Sequence, residues 1–306
     1  GQGSQIVGMG KPVYDTFPEA REVFDEVDDA LNQKLSKIIF EGNQETLTLT
    51  ENAQPALMVT SIAILRVIQK QSGKKIEDLC NFTAGHSLGE YTALCAAESF
   101  DLKQTAKLLK LRGKSMQAAV PAGIGGMAAV LGLSFEDVEK LCSQAANASG
   151  EVCDLANDNS EGQVVISGTL KALEKAEEIS KFMNAKRFLK LPVSAPFHSS
   201  LIKSAQDIMF EALEKEQINT PAIPVIANVT AQVNSDVKQI RELLVKQVTG
   251  RVRWRESVSY MKNSLDVTKT VEIGAGKVLS GLVKRIVKDV ETINIETPQD
   301  IEFFCK

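Results

Sequence analysis

Aromatic side chains are scarce in this 306-residue chain, 5% of the total with a single Trp, so no row of stacking platforms for bases or sugars is available. Positive charge is not in excess. The 35 Lys and Arg stand against 39 Asp and Glu, and a formal net charge of -4 argues against a nucleic-acid partner. Long apolar runs are missing as well, and without one of about 18 residues or more no membrane-spanning helix is expected. The five cysteines are odd in number and form no C-x-x-C pair, which points to reduced, mostly buried thiols in a reducing compartment. No metal-ligand cluster and no internal repeat is found, so a metal site is not expected. Histidine occurs only twice, at His86 and His198, which leaves few candidates for a general base. What remains is 43% hydrophobic and 24% charged, enough for one large domain or two smaller ones.

The stretch that organises the chain is Ala84-Gly85-His86-Ser87-Leu88-Gly89-Glu90. It reads G-x-S-x-G, the pattern of a sharp strand-to-helix turn that holds a serine hydroxyl clear of the backbone. Residues 79–84 are expected to form the strand and residues 90–97 the helix. Gly85 and Gly89 are expected to leave room for the close approach of the two. The N–H of Leu88 would then lie beside Ser87 at the positive end of the helix, as half of an oxyanion hole. A serine-capped glycine turn with no chemistry would look the same locally.

The remaining elements are read in order. Residues 1–5, G-Q-G-S-Q, are either a flexible end or a loop whose N–H groups face a ligand. Residues 16–35 read as a solvated surface helix. Residues 56–68 are apolar on nearly every face and predict a buried helix, with Pro55 near its first turn. Asp101 is a plausible N-cap, followed by the apolar stripe Leu102, Ala106, Leu109, Gly113 and Met116. Arg112, flanked by Gly113, is either a solvated charge or a guanidinium that enters a pocket and binds a carboxylate. After a glycine-rich break at 121–126, the order β-α-β-β-α-β matches the ferredoxin-like pattern, with residues 157–162 as a turn cluster. A small subdomain at 125–194 is therefore inserted in a larger α/β body made of 1–124 and 195–306. His198 follows at the return, and because His86 should point away from its neighbour Ser87, His198 is the candidate base. A strand at 223–229, a helix at 235–249 with Gln247 in its last turn, and a strand and helix around Gly274 and Gly276 complete the chain. Arg251, Arg253 and Arg255 are either ordinary surface charge or a cradle for an acidic partner or for phosphates.

Several blocks together carry a resemblance. They are G-Q-G-S-Q at 1–5, G-H-S-L-G-E-Y at 85–91, Arg112-Gly113 with Met116-Gln117, Asn159-Ser160 with residues 162–168, Phe197-His198, and Gly274 to Gly276. Along its whole length the chain resembles the malonyl-CoA:acyl carrier protein transacylases of dissociated, type II fatty acid synthesis. The resemblance implies an α/β-hydrolase-like core with a parallel sheet and a nucleophile elbow, plus the inserted ferredoxin-like subdomain. It implies Ser87 as nucleophile, His198 as base and then acid, and Arg112 as the group that holds the malonyl carboxylate. It also implies an oxyanion hole from the N–H groups of Gln2 and Leu88, and a backbone carbonyl at Gln247 that orients His198. Met116 and Phe197 would line the pocket, Phe197 narrowing it against branched acyl groups. The expected partners are malonyl-CoA or CoA and acyl carrier protein, with no resident cofactor, no nucleic acid and no membrane, for a cytoplasmic monomer. The chain begins within the first block, so a targeting segment upstream, and with it an organelle of bacterial origin, stays open. An acyltransferase module of a polyketide synthase would share this site. A serine esterase or thioesterase would share the serine and histidine but should want a carboxylate on the histidine and would not need Arg112.

Overall fold

The computed structural model describes residues 1–193 and 195–306. The first third is helical: α1 (Lys11–Thr16), α2 (Pro18–Leu31), α3 (Leu35–Glu41), α4 (Gln44–Thr48) and α5 (Thr50–Ser72). α2 is not wholly solvated. It turns Ala20, Val23, Phe24 and Val27 into the core, as its amphipathic pattern dictates. α5 is buried along most of its length and starts at Thr50, so Pro55 lies inside the helix rather than in its first turn. A short helix, α6 (Ile76–Leu79), occupies the start of the expected strand, closed by a bond from the Lys75 N–H to the Asp78 carboxylate. The strand that remains is β1 (Thr83–Ala84), followed at once by α7 (Leu88–Ala96) and then α8 (Leu102–Ala118). Asp101 caps α8 through the Gln104 N–H at 2.7 Å.

The middle of the chain has the expected order: β2 (Gly125–Leu131), α9 (Phe135–Ser149), β3 (Cys153–Ser160), β4 (Gln163–Thr169), α10 (Leu170–Phe182) and β5 (Arg187–Lys190). The four strands form one antiparallel sheet in the order β3-β4-β2-β5. One face packs Ala128, Val130, Val164 and Ile166 against Leu141 and Leu173 of the two helices. The other face sends Met127, Ala129 and Val165 into the main core, so the unit is joined to the body by apolar packing. The sequence-based turn at 157–162 is corrected. β3 runs on to Ser160 through two bulges, and only Glu161-Gly162 turn. Asn157, Asp158 and Asn159 tolerate a strand because His86 and Arg255 take their side chains. Ser194, where the sequence places the boundary of this unit, lies outside the described residues.

The chain returns through a 3-10 turn (Ser200–Ile202) and α11 (Lys203–Lys215), β6 (Val225–Ala227), β7 (Gln232–Asn234), α12 (Val237–Thr249) and α13 (Trp254–Ser264). It ends with β8 (Lys269–Ile273), α14 (Val278–Ile286), β9 (Glu291–Ile295) and α15 (Pro298–Cys305). β1 pairs in parallel with β6, and β8 in parallel with β9. A cavity of about 510 Å³ lies between β1 and β8, bounded also by α5 and α7. The carboxyl ends of parallel strands are where α/β folds assemble sites, and both Ser87 and Asn228 stand just past such ends.

Two glycines set close approaches that position the site. A Cβ on Gly85 would meet the Gly89 carbonyl oxygen at 1.9 Å, and one on Gly113 would meet the Thr50 oxygen of α5 at 2.4 Å. Gly89, expected to be needed in the same way, has open space where its Cβ would be, and its own carbonyl is what crowds Gly85. Gly85→Ala and Gly113→Ala are therefore expected to lower the urea midpoint by an amount worth about 1–3 kcal/mol or more, since the obstacle is backbone. Gly281→Ala, with open space inside α14, should instead gain up to about 1 kcal/mol from helix propensity. Equal midpoints for all three would contradict the packing described.

Candidate active site

Ser87 sits at φ 55°, ψ -111°, a conformation that non-glycine residues rarely adopt. Its surroundings over-determine it. The Ser87 N–H donates to Asn228 Oδ1 at 2.7 Å, and the Asn228 amide donates to the Gly85 carbonyl at 2.8 Å. The strain lifts the hydroxyl toward His198, whose Nε2 lies 2.8 Å from Ser87 Oγ. His198 itself has φ 56°. Its loop is pinned by the small unit: Ser167 of β4 donates to the Phe197 carbonyl, and Asp154 of β3 accepts from both hydroxyls of Ser199 and Ser200.

The tautomer of His198 follows from its partners. Nδ1 faces two carbonyl oxygens, Gln247 at 2.9 Å and Gly250 at 3.0 Å. Carbonyls only accept, so the proton is on Nδ1 and the Nε2 lone pair faces the serine. Among the described residues no carboxylate orients this imidazole. Burial, with the Arg112 charge second, pulls its pKa down to about 3, against the two carbonyl bonds that raise it. His86 points elsewhere, as expected: its Nε2 lies 2.8 Å from Asn159 Oδ1 and its ring lies near Trp254.

Arg112 comes from α8 and is buried, 1% exposed. Nη1 donates to Gln54 Oε1 at 2.8 Å, and Nη2 donates to Gln247 Oε1 at 2.9 Å and to Ser87 Oγ at 3.1 Å. Nε has no partner among the described residues. All the acceptors are neutral, so the guanidinium carries a buried charge with no carboxylate bonded to it. Burial lowers its pKa, but a guanidinium stays protonated in proteins. Such a group is costly unless an anion completes it. Met116 Sδ lies 3.9 Å from Gln54 Nε2, the side chain that also bonds Arg112, and Phe197, next to the histidine in sequence, is buried.

The Leu88 N–H heads α7 and lies among the four that have no acceptor within the helix. The first loop is held close by. A Cβ on Gly1 would lie 3.6 Å from the His86 carbonyl, and Gln2 Nε2 donates to Thr50 Oγ1 at 3.2 Å. The structure also brings in residues that sequence reasoning missed: Gln54, Glu90, Asn228 and the Gly250 carbonyl. Glu90 had a signal, since it is part of the block that contains Ser87. The arginines at 251–255 are paired within the fold. Arg251 and Arg253 pair with Glu256, Arg255 pairs with Asp158 at 3.0 Å, and Arg251 stacks 4.4 Å from the Phe135 ring. Arg255 thereby ties α13 to β3 and α9.

A base with a depressed pKa is neutral, and ready, until the pH falls toward its folded value. Imidazole nitrogen NMR shifts of His198 should therefore stay those of the neutral, Nδ1-protonated ring from pH 8 down to about 5. A midpoint near 6.5 would contradict the burial argument.

Known proteins resemble this chain along nearly its whole length. The family model described as acyl transferase domain matches residues 1–297. The malonyl CoA-acyl carrier protein transacylase of Bacillus subtilis (strain 168) is 46% identical over 302 residues, 99% of this chain and 93% of the relative. The acyl-carrier-protein-S-malonyltransferase structure from Bartonella henselae superposes with a TM-score of 0.95 at 52% identity, over 99% of this chain and 96% of that one. A malonyl-transacylase solved in complex with its type II PKS acyl-carrier protein superposes with a TM-score of 0.94 at 39% identity, over 99% and 96%. A serine elbow, a carbonyl-oriented histidine and a buried arginine thus stand in a chain that belongs to the acyl transferase domain family.

Proposed function

We infer that the protein moves a malonyl group from malonyl-CoA to the phosphopantetheine thiol of acyl carrier protein through a malonyl-serine intermediate. One observation carries the reading: a buried guanidinium, bonded only to neutral groups, lies 3.1 Å from the nucleophile. A malonyl thioester brings the carboxylate that this cation lacks. A neutral acetyl group would leave it unpaired.

In the first half-reaction His198 Nε2 takes the Ser87 proton as Oγ attacks the thioester carbonyl. The tetrahedral oxyanion would face the N–H groups of Leu88 and Gln2, while the malonyl carboxylate rests on Arg112. Collapse breaks the carbon–sulfur bond, and CoA leaves with the proton from His198. In the second half, His198 removes the proton of the carrier thiol. The thiolate attacks malonyl-Ser87, and Ser87 leaves and regains its proton. Every proton and charge is handled by side chains and main-chain groups of this chain. No resident cofactor enters the scheme, and CoA and phosphopantetheine are substrates.

The Gln247 and Gly250 carbonyls hold the base in the right tautomer without adding the negative charge that an aspartate would bring. That arrangement disfavours the esterase reading. Met116 and Phe197 would bound the acyl pocket. The antiparallel β2–β5 unit, with its own helices and core, supports the reading of 125–194 as a ferredoxin-like subdomain set in a hydrolase-like body of 1–124 and 195–306. The reading carries a cytoplasmic setting with it, consistent with five free thiols.

Intact-mass analysis after mixing with malonyl-CoA should show one malonyl adduct, absent in Ser87→Ala. Arg112→Ala should lose malonyl acylation by about 10²-fold, with acetyl acylation changed much less. An adduct that survives Ser87→Ala, or malonate released with no adduct and no transfer to carrier protein, would overturn the reading.

A further inference from the structure

Glu90 is a buried carboxylate that the reaction as written does not use. It lies in the first turn of α7, three residues after the nucleophile, and is 3% exposed. Its Oε2 accepts from Gln247 Nε2 at 2.8 Å and from the Asn228 N–H at 3.0 Å. Burial raises its pKa to about 7, opposed by these two bonds and by the Arg112 charge.

Gln247 stands between Glu90 and Arg112, and its amide can be read only one way round. Nε2 donates to Glu90 and to the Ser87 carbonyl at 2.9 Å, while Oε1 accepts from Arg112 Nη2. Reversal would set an NH₂ against the guanidinium and an oxygen against the carboxylate, two like-with-like contacts at once. Oε1 could still be turned away from Arg112 if Nε2 were not held, and of its three acceptors Glu90 Oε2 at 2.8 Å is the nearest, ahead of the Ser87 carbonyl at 2.9 Å and Asn228 Oδ1 at 3.4 Å. The main-chain carbonyl of Gln247 bonds His198, so one residue serves both the base and the carboxylate reader.

We propose that Glu90 is a positioning residue for acyl selection: it fixes the direction of the Gln247 amide and, through it, holds Arg112 in the pose that reads the malonyl carboxylate. The inference rests on the transacylase reading. It assigns the effect to a hydrogen-bond acceptor at a fixed reach rather than to net charge.

Two variants separate those terms. Glu90→Gln keeps an oxygen at the position of Oε2 and removes the charge. Glu90→Asp keeps the charge and withdraws the acceptor by one methylene. Initial rates of CoA release are measured with malonyl-CoA and with acetyl-CoA for the wild type and both variants. The wild-type preference for malonyl, measured first, reports on the functional reading by itself. Glu90→Gln should keep the malonyl-to-acetyl ratio of kcat/KM within about threefold of wild type. Glu90→Asp should lower that ratio by about tenfold or more, chiefly through a raised KM for malonyl-CoA. The proposal is overturned if Glu90→Asp keeps the ratio while Glu90→Gln loses it. It is equally overturned if both variants slow the two thioesters alike with the ratio unchanged, as a purely structural role would do.

Discussion

The site depends on one unbalanced charge. Arg112 is removed from water, and its acceptors are two amide oxygens and a hydroxyl. A buried cation in that state is expensive by several kcal/mol, in the order of the effective penalty for burying an ion, and the fold meets it with long-range structure. Gln54 comes from α5 and Gln247 from α12. The close α5–α8 contact at Gly113 brings the helix bearing Arg112 into place. Glu90 lies beyond the Gln247 amide and does not bond the guanidinium directly, so the position of a substrate carboxylate is not taken by a protein one.

Two strained residues meet beside this charge. Ser87 and His198 both have positive φ, and each is held by bonds from a different part of the chain. Asn228, past the end of β6, holds the serine, while β3 and β4 hold the histidine loop. The antiparallel unit is therefore part of the catalytic geometry as well as a neighbour of it.

Much of this was legible in the residues. The elbow, the cap at Asp101 and the alternation of strands and helices between 125 and 190 are local patterns, and local physics decides them. Ser87 and His198 could be named because a motif and scarcity singled them out, while the roles of Arg112 and Gln247 came through the family resemblance. Glu90, Gln54 and Asn228 could not be given roles, because their roles exist only through contacts 58 to 157 residues away in sequence. The same reason explains one reversal and one reading left open. Asn157, Asp158 and Asn159 have turn chemistry but become a strand because distant partners take their polar groups. Arg251, Arg253 and Arg255 look like a basic patch but are paired within the fold. Local propensity is a weak prior wherever tertiary partners are available.

The measurement that bears most directly on the unbalanced charge is a crystal structure of the enzyme acylated with malonyl-CoA. The account expects the malonyl carboxylate on Arg112 within ordinary charge-assisted hydrogen-bond distance, about 2.7–2.9 Å, with Gln54 and Gln247 still on the guanidinium and Ser87 Oγ esterified. A malonyl-serine whose carboxylate faces solvent or another residue, with Arg112 left on its neutral partners alone, would contradict it.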